Sequence, residues 1–258
     1  MSVYNVRLYS YADDRKQVRI YSRPVVSGSV LEKRTEKRLN TIKNNKSGSS
    51  ARTQKQIDQS REKSMNRTKN KIYEIARSNQ WEYFITLTFN PQKVNSKNYD
   101  YVVQTVHEWI RKLKKEYAPD LYYILVPELH ADGKKWHFHG LLGNTGNIQF
   151  TDSGHKSGDA IIYNIAQFPY GFSTATKVRD SNKVSAYITK YITKDLCAVT
   201  ENRKRYWVST NVNRPAPVDY NMSPDEIACL LEDISEDVMH MKTLEFSQAG
   251  QKIKYIEM

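Results

Sequence analysis

The chain is poor in cysteine. It has two, Cys197 and Cys229, among 258 residues, and their spacing fits no metal-binding pattern. A disulfide framework is therefore not expected, and a reducing compartment is. No run of about 18 apolar residues occurs, which argues against a transmembrane helix. The opening stretch MSVYNVRLYSYADDRK lacks the apolar core of a signal peptide. These absences lead to an expected cytoplasmic location with no membrane partner. There is no domain-scale repeat and no Gly-x-x-x-x-Gly-Lys-Ser/Thr phosphate loop. Acidic residues are also short in supply: 28 Asp and Glu face 40 Lys and Arg, giving a formal net charge of +12. An excess of this size makes a polyanion the first partner to consider. Hydrophobic residues, at 39%, still suffice for a core. The 18 tyrosines against 7 phenylalanines suit a surface that stacks on bases, although tyrosine is equally at home in ordinary strands.

The positive charge is concentrated. Residues 30–71 hold thirteen Lys and Arg against four acids, and the segment is broken by NNKSGSS. It reads as two exposed basic helices around a hinge, or as disorder. Lys33, Arg34, Lys37, Arg38, Arg67, Lys69 and Lys71 are its candidate nucleic-acid contacts; a solvated arm without function is the alternative. Residues 1–29 read as strands or an edge extension, 72–220 as the main domain, and 221–258 as a C-terminal helical extension. Ser223, Pro224 and Glu226 there form the signature of a helix start.

Within the main domain WEYFITLTF (81–89), LYYILVPEL (121–129), KWHFHGLL (135–142) and GFSTATKV (171–178) read as strands. NIQF (147–150) reads as a short strand and RYWVSTNV (205–212) as a late one. KNYDYVVQTVHEWIRKLKKEY (97–117) has helical periodicity. GDAIIYNIAQFP (158–169) reads as a short helix, and SNKVSAYITKYITKDL (181–196) as a longer one, capped by Ser181 or Asn182. Asp132-Gly133 signals a hairpin between the second and third strands. With a two-residue turn Ala131 pairs with Lys134, and Glu128 falls opposite His137 on the same face. His139 has the same parity as His137. Two imidazoles and a carboxylate form a catalytic type of divalent-metal site, with His130 placed to substitute or support. A half-buried strand with structural histidines is the other reading of His137 and His139.

The second constellation is AYITKYITKD (186–195). Tyr187 and Tyr191 lie four residues apart, which puts their phenols on one helix face. Lys190 and Lys194 each follow a tyrosine by three residues. A neighbouring ammonium favours a phenolate, and a lysine binds a phosphate oxygen as a point charge. Core or surface tyrosines on a basic helix are the alternative. Taken together, a metal that polarises a phosphate, a phenolate nucleophile and a basic arm all serve one chemistry, covalent cleavage of DNA.

The sequence resembles the HUH endonucleases, and among them the two-tyrosine replication initiators (Rep) of single-stranded DNA phages and rolling-circle plasmids. FITLTF (84–89) is similar to their first motif, HFH (137–139) to the metal motif with Glu128 upstream, and YITKYITK (187–194) to the tyrosine motif. The resemblance spans roughly residues 81–215. It implies an α+β, ferredoxin-like fold with a central antiparallel sheet of about five strands and flanking helices. It implies strand-specific nicking and rejoining of single-stranded origin DNA through a 5′-phosphotyrosine, with Mn²⁺ or Mg²⁺ as cofactor. The implied partners are single-stranded DNA and an origin hairpin. With no phosphate loop in this chain, a host helicase and polymerase must supply unwinding and synthesis. By the same resemblance, the Lys-Tyr-x-x-Lys-Asp frame of single-tyrosine initiators falls on Tyr191. Its more basic sequence surroundings also favour Tyr191 for the first cut. An HUH transposase or mobilisation protein and a non-catalytic nucleic-acid binder are the other readings.

Overall fold

The structure is a computed structural model that describes residues 2–12, 14–27, 53–130, 132–201, 203–246 and 250–258. It is α+β, with two antiparallel sheets and five helices among the described residues. In chain order the elements are β1 Ser2–Ser10, β2 Lys16–Ser27, α1 Gln54–Arg77, β3 Tyr83–Phe89 and α2 Tyr99–Glu116. Next come β4 Tyr122–Leu129, β5 Trp136–Gly143, β6 Phe150–Ser157, β7 Ala160–Ile165 and β8 Gly171–Lys177. Then follow α3 Ser181–Ile188, a 3₁₀ turn Thr189–Tyr191, α4 Lys194–Val199, β9 Trp207–Val208 and β10 Val218–Tyr220. The chain ends with α5 Pro224–Asp233, a 3₁₀ turn Ser235–Asp237, β11 His240–Phe246 and β12 Gln251–Glu257. No helix among the described residues is long and apolar enough to cross a membrane.

The chain divides into two units. One takes in the described residues up to Thr53 and from Pro215 onward. Its five-stranded sheet has the order β10-β1-β2-β12-β11. Val6, Val18 and Ile256 form its buried apolar centre, covered by Ile227, Leu230 and Leu231 of α5. The capping box expected at Ser223 and Glu226 is present, with Pro224 in the first turn. The helical extension expected over 221–258 is corrected: α5 ends at Asp233, and two strands follow. Gln251–Glu257 alternates apolar and polar residues as a strand with one buried face does, and it lies between β2 and β11. The N-terminal strands and the C-terminal tail thus share one sheet.

The other unit, residues 54–214, carries the seven-stranded sheet β6-β7-β8-β3-β5-β4-β9. The expected sheet of about five strands is exceeded because 158–169 contains a strand, not a helix. Its run AIIYNI has no polar alternation, and an apolar run of that length does not separate strand from helix by periodicity. Pairing of Ser157 with Ala160 leaves Gly158-Asp159 as a two-residue turn. Gly158 supplies the positive φ, 57°, that such a turn demands. The strand expected at 147–150 begins only at Phe150 and runs to Ser157. The late strand shrinks to Trp207–Val208.

Helix α2 shows why one face of this sheet is closed. Asn98 caps it by accepting from the Tyr101 N–H at 3.1 Å, and Val102, Val106, Trp109, Ile110 and Leu113 are buried along one stripe. His107 on the same helix stands edge-on to Trp207, with ring centroids 5.5 Å apart, and Trp207 packs on Phe138. The opposite face, which carries the odd-numbered residues of β5, receives the C-terminal part of α1 and the α3 region. Ile72, Ile75, Ile188, Ile192 and Leu196 are all buried in the same core. That cover does not close over the middle of the sheet: Phe84, Thr86 and Thr88 of β3 stay partly accessible.

Half of the expected basic arm is visible. Residues 53–71 enter α1, a 24-residue helix, while Lys33, Arg34, Lys37 and Arg38 lie outside the described residues. The core boundary expected near Ile72 is where α1 begins to be buried. The helix itself starts 18 residues earlier, at Gln54. It is tied down along that stretch by Arg205, whose Nη1 donates to Ser64 Oγ at 2.7 Å.

Candidate active site

The strands place the first group of candidates. In the β4–β5 hairpin Glu128 pairs with His137 and Val126 with His139, the register expected from the sequence. The turn is longer than the two residues expected. The backbone N–H of His130 donates to the Lys135 carbonyl at 2.7 Å, and the strands end at Leu129 and Trp136. The expected Ala131–Lys134 pair involves Ala131, which lies outside the described residues. Gly133, at φ 67°, provides the left-handed residue of the loop, and Asp132 Oδ1 accepts from the N–H of Lys134 at 2.8 Å. The centre of the pair is close-packed at Gly140. A Cβ there would come within 2.6 Å of Leu125 Cδ2 and 2.8 Å of the Ile124 carbonyl oxygen, so the residue after His139 has to be glycine. Pro127 is tolerated because β9 pairs only with Ile124 and Leu125, which leaves β4 an edge strand around Pro127. The same exposed edge leaves the Glu128 side chain 40% accessible.

Strand β3 supplies what the sequence reading missed. Thr86 lies opposite His139 and Thr88 opposite His137. Thr86 Oγ1 is 3.0 Å from His139 Nδ1, and Thr88 Oγ1 is 3.2 Å from His137 Nδ1. Both threonines stand in FITLTF with the parity of the histidines, and that alternation was the available signal. A hydroxyl both donates and accepts, so each threonine can hold its imidazole in either tautomer. Nε2 of His139 lies 2.7 Å from Glu128 Oε2. That hydrogen bond holds the Glu128 carboxyl below its usual range, reinforced by the charges of His139, His137 and His130, against a smaller effect of burial. Burial lowers the His137 pKa, and so do the neighbouring His130 and His139. His130 stacks on His137 at 5.1 Å between ring centroids.

The tyrosine segment departs from a single helix. Its cap is Asp180, which accepts from the N–H groups of Asn182 and Lys183; it is neither Ser181 nor Asn182. The α-helix stops at Ile188, tightens to a 3₁₀ turn through Tyr191, and gives way to extended backbone at Ile192 and Thr193. Thr193 then caps α4 by accepting from the Leu196 N–H at 3.0 Å. The tandem Tyr-Ile-Thr-Lys accounts for this. The repeat that spaces the tyrosines also spaces Ile188 and Ile192, both fully buried. The isoleucines hold the segment down, and the second threonine stops it.

Tyr187 and Tyr191 still meet, edge to face at 5.7 Å between centroids. Tyr191 lies flat on His139, with centroids 3.6 Å apart and planes 12° apart. Phe84 stands edge-on to Tyr187 at 5.2 Å. The lysines fall differently from the sequence expectation. Lys190 Nζ lies 4.6 Å from the ring centroid of Tyr187, and Lys194 opens the separate helix α4. Tyr191 does not have the more basic surroundings. Burial pushes its phenol well above the usual range, with further upward pushes from its hydrogen bond with Tyr187 and from the Glu128 charge.

No group of three or more His, Cys, Asp or Glu side chains is gathered as a metal cluster among the described residues. The donor chemistry nevertheless fits a divalent cation. Each Nδ1 is engaged by a threonine, which leaves Nε2 as the ligating atom. His139 Nε2 already meets a carboxylate oxygen, and His137 is Glu128's direct cross-strand partner.

On the remaining candidates, Arg67 and Lys71 are exposed on α1 and Lys69 is partly buried. Lys69 lies near enough to Cys197 to lower its thiol pKa, against the larger upward effect of burial.

Neither a search of curated proteins nor one of solved structures gave a match to the chain. Residues 82–196 match the family model of the Replication-associated protein of the ORF2 and gene 2 protein type, a span that begins just before β3 and ends in α4, and so takes in Glu128, both histidines and both tyrosines.

Proposed function

We propose that this protein initiates rolling-circle DNA replication as an HUH-type endonuclease and strand transferase. The observation that carries the reading is one open sheet face where His137, His139 and Glu128 meet Tyr187 and Tyr191, inside the span matched by the replication-associated family. His137, His139 and Glu128 would hold a divalent cation, Mn²⁺ or Mg²⁺, which when bound polarises a phosphate.

The phenol oxygen of one tyrosine attacks phosphorus, and the bond from phosphorus to the 3′ oxygen breaks. A 5′-phosphotyrosine and a free 3′-hydroxyl result. The proton lost by the phenol balances the one gained by the 3′ oxygen, so no water is consumed. Lys190 serves as a point charge beside Tyr187 and the phosphate, and Lys194 as a second cation at the start of α4. Tyr191 makes the first cut. What supports that order is its place against His139, not the basicity of its surroundings. Tyr187 serves the second transfer, after which a free 3′-hydroxyl attacks the phosphotyrosine and rejoins the strand. Arg67, Lys69 and Lys71 add phosphate contacts from α1, as do Lys33, Arg34, Lys37 and Arg38. The substrate is single-stranded DNA beside an origin hairpin, in the cytoplasm of a bacterial host whose helicase and polymerase complete replication.

The test is incubation with labelled single-stranded oligonucleotides tiling the DNA that encodes the protein, with Mn²⁺. A denaturing gel should show a covalent adduct that is lost when both tyrosines are phenylalanine. Tight binding of every oligonucleotide with no adduct would make the protein a non-catalytic binder.

A further inference from the structure

The open sheet face continues past the histidines to an aromatic side chain with no role so far. Across the sheet, Glu128, His137, Thr88 and Phe172 form one row of directly paired residues on β4, β5, β3 and β8. The next row runs Val126, His139, Thr86 and Thr174. Along β8 the side chains facing this way, Phe172, Thr174 and Thr176, are solvent-accessible, while Ser173 and Ala175 between them are buried. Phe172 is 55% exposed, in a strand that is interior to the sheet. A single exposed phenylalanine needs no explanation on an arbitrary surface. The position of this one does: it ends the row that holds His137 and Glu128, two strand spacings of roughly 4.8 Å each from His137. That is about the distance from a phosphate to the bases of the nucleotides beside it. Between the two lie only threonines, whose hydroxyls can bond to phosphate or sugar oxygens without selecting a base.

We propose that Phe172 is a stacking platform for a base of single-stranded DNA that crosses this face from the histidine row toward β8. The inference rests on the functional reading above. It goes beyond that reading by assigning a base-binding position and a direction of travel. A phenylalanine ring suits the task because every base has a π face, so stacking holds the strand without fixing its sequence. Origin choice is then left to other contacts.

The test uses the full-length protein in EDTA, so that binding is read without cleavage. Two fluorescent probes of equal length are compared by anisotropy: oligothymidine, and the same backbone with every base removed. Phe172→Ala should weaken binding of oligothymidine roughly ten- to hundredfold and leave the abasic probe within about twofold. Phe172→Trp should restore oligothymidine binding. Equal weakening of both probes would reduce Phe172 to a structural role, and no effect on either would remove it from the interface; both outcomes overturn the proposal. Wild-type nicking is scored separately with Mn²⁺. A protein that nicks but ignores Phe172 sinks only this inference. One that binds bases through Phe172 but never nicks sinks the endonuclease reading and leaves the platform standing.

Discussion

His137 and His139 stand on β5, paired on one side with β3 and on the other with β4, while Tyr187 and Tyr191 stand on a short helix that tightens and stops within four residues of its last α-helical position. Each histidine is fixed by two strands and by a threonine on its Nδ1. A one-residue slip would turn both away together. The tyrosines are fixed mainly at the ends of their segment, by the Asp180 cap, the Thr193 cap and two buried isoleucines. The difference suits the chemistry. Metal ligands gain from being held in place before the substrate arrives. Two nucleophiles that take turns need rings that can shift.

The largest expected effect falls on the rigid half. His137→Ala or His139→Ala should abolish nicking while leaving single-stranded DNA binding in EDTA within about threefold of wild type, by anisotropy. Wild-type nicking that persists at full rate in EDTA would show that the histidines hold no catalytic metal. The movable half should fail more selectively. Tyr191→Phe should lose the first-strand adduct. Tyr187→Phe should keep it but fail to complete a second transfer. Mass spectrometry of the DNA–peptide adduct decides between them, and an adduct confined to Tyr187 reverses the order of use.

The next effect is smaller and tests whether the histidines are held as rigidly as the pairing implies. Thr86→Val and Thr88→Val keep the strand and remove the hydroxyl on each Nδ1. Loss of such an outer contact weakens metal affinity by roughly ten- to hundredfold. Mn²⁺ should raise the thermal midpoint of the wild type at concentrations where it no longer does so for the variants, since a ligand that binds only the folded state stabilises it. Equal Mn²⁺ response in all three proteins would mean the threonines are packing residues.

The same contrast decides what was legible in the sequence. Alternation with period two and one Asp-Gly loop sufficed to put Glu128 opposite His137, even though the turn is longer than expected. The parity of Thr86 and Thr88 was equally readable, but a threonine in a strand is ordinary by composition and draws no notice. The tyrosine segment was harder. Residues 181–196 carry helical spacing throughout, and nothing local says that Thr193 caps a new helix where the previous one could have continued. The contact of Lys190 with Tyr187 rather than Tyr191 follows from that break. Phe172 shows the other limit: its strand is legible from sequence, but its exposure depends on which face the helices leave open. In the other unit, β11 and β12 were hidden because pairing with β2, more than two hundred residues away, decides their state.

A smaller effect is expected from α1. The substitution pair Arg67→Ala and Lys71→Ala removes two exposed cations from a helix whose far end is buried. Each phosphate contact on a single strand contributes a slope of roughly 0.7 in log affinity against log salt, so the pair should flatten the slope by about 1.4. The effect should be the same for oligonucleotides of unrelated sequence, because phosphate contacts carry no base information. A change in sequence preference with an unchanged slope would move these residues from the backbone to the bases.

The smallest expected effect isolates the tyrosine half alone. Thr193 accepts from the Leu196 N–H at the start of α4, and replacing such a cap by alanine costs about 1 kcal/mol. In a unit of this size Thr193→Ala should lower the melting midpoint by roughly 2–4 °C. The loss is local. Hydrogen exchange should accelerate in Lys194–Val199 and in the 3₁₀ turn before it, and stay unchanged in β5, which is held by two neighbouring strands. Mn²⁺ stabilisation should persist, because no metal candidate lies on this segment. The ratio of adducts on Tyr187 and Tyr191 should shift, because the end that positions Tyr191 is freer while Asp180 still holds the end nearer Tyr187. If instead β5 exchanges faster and Mn²⁺ stabilisation falls in step, the two halves are one cooperative structure, and the idea of fixed ligands beside movable nucleophiles is wrong.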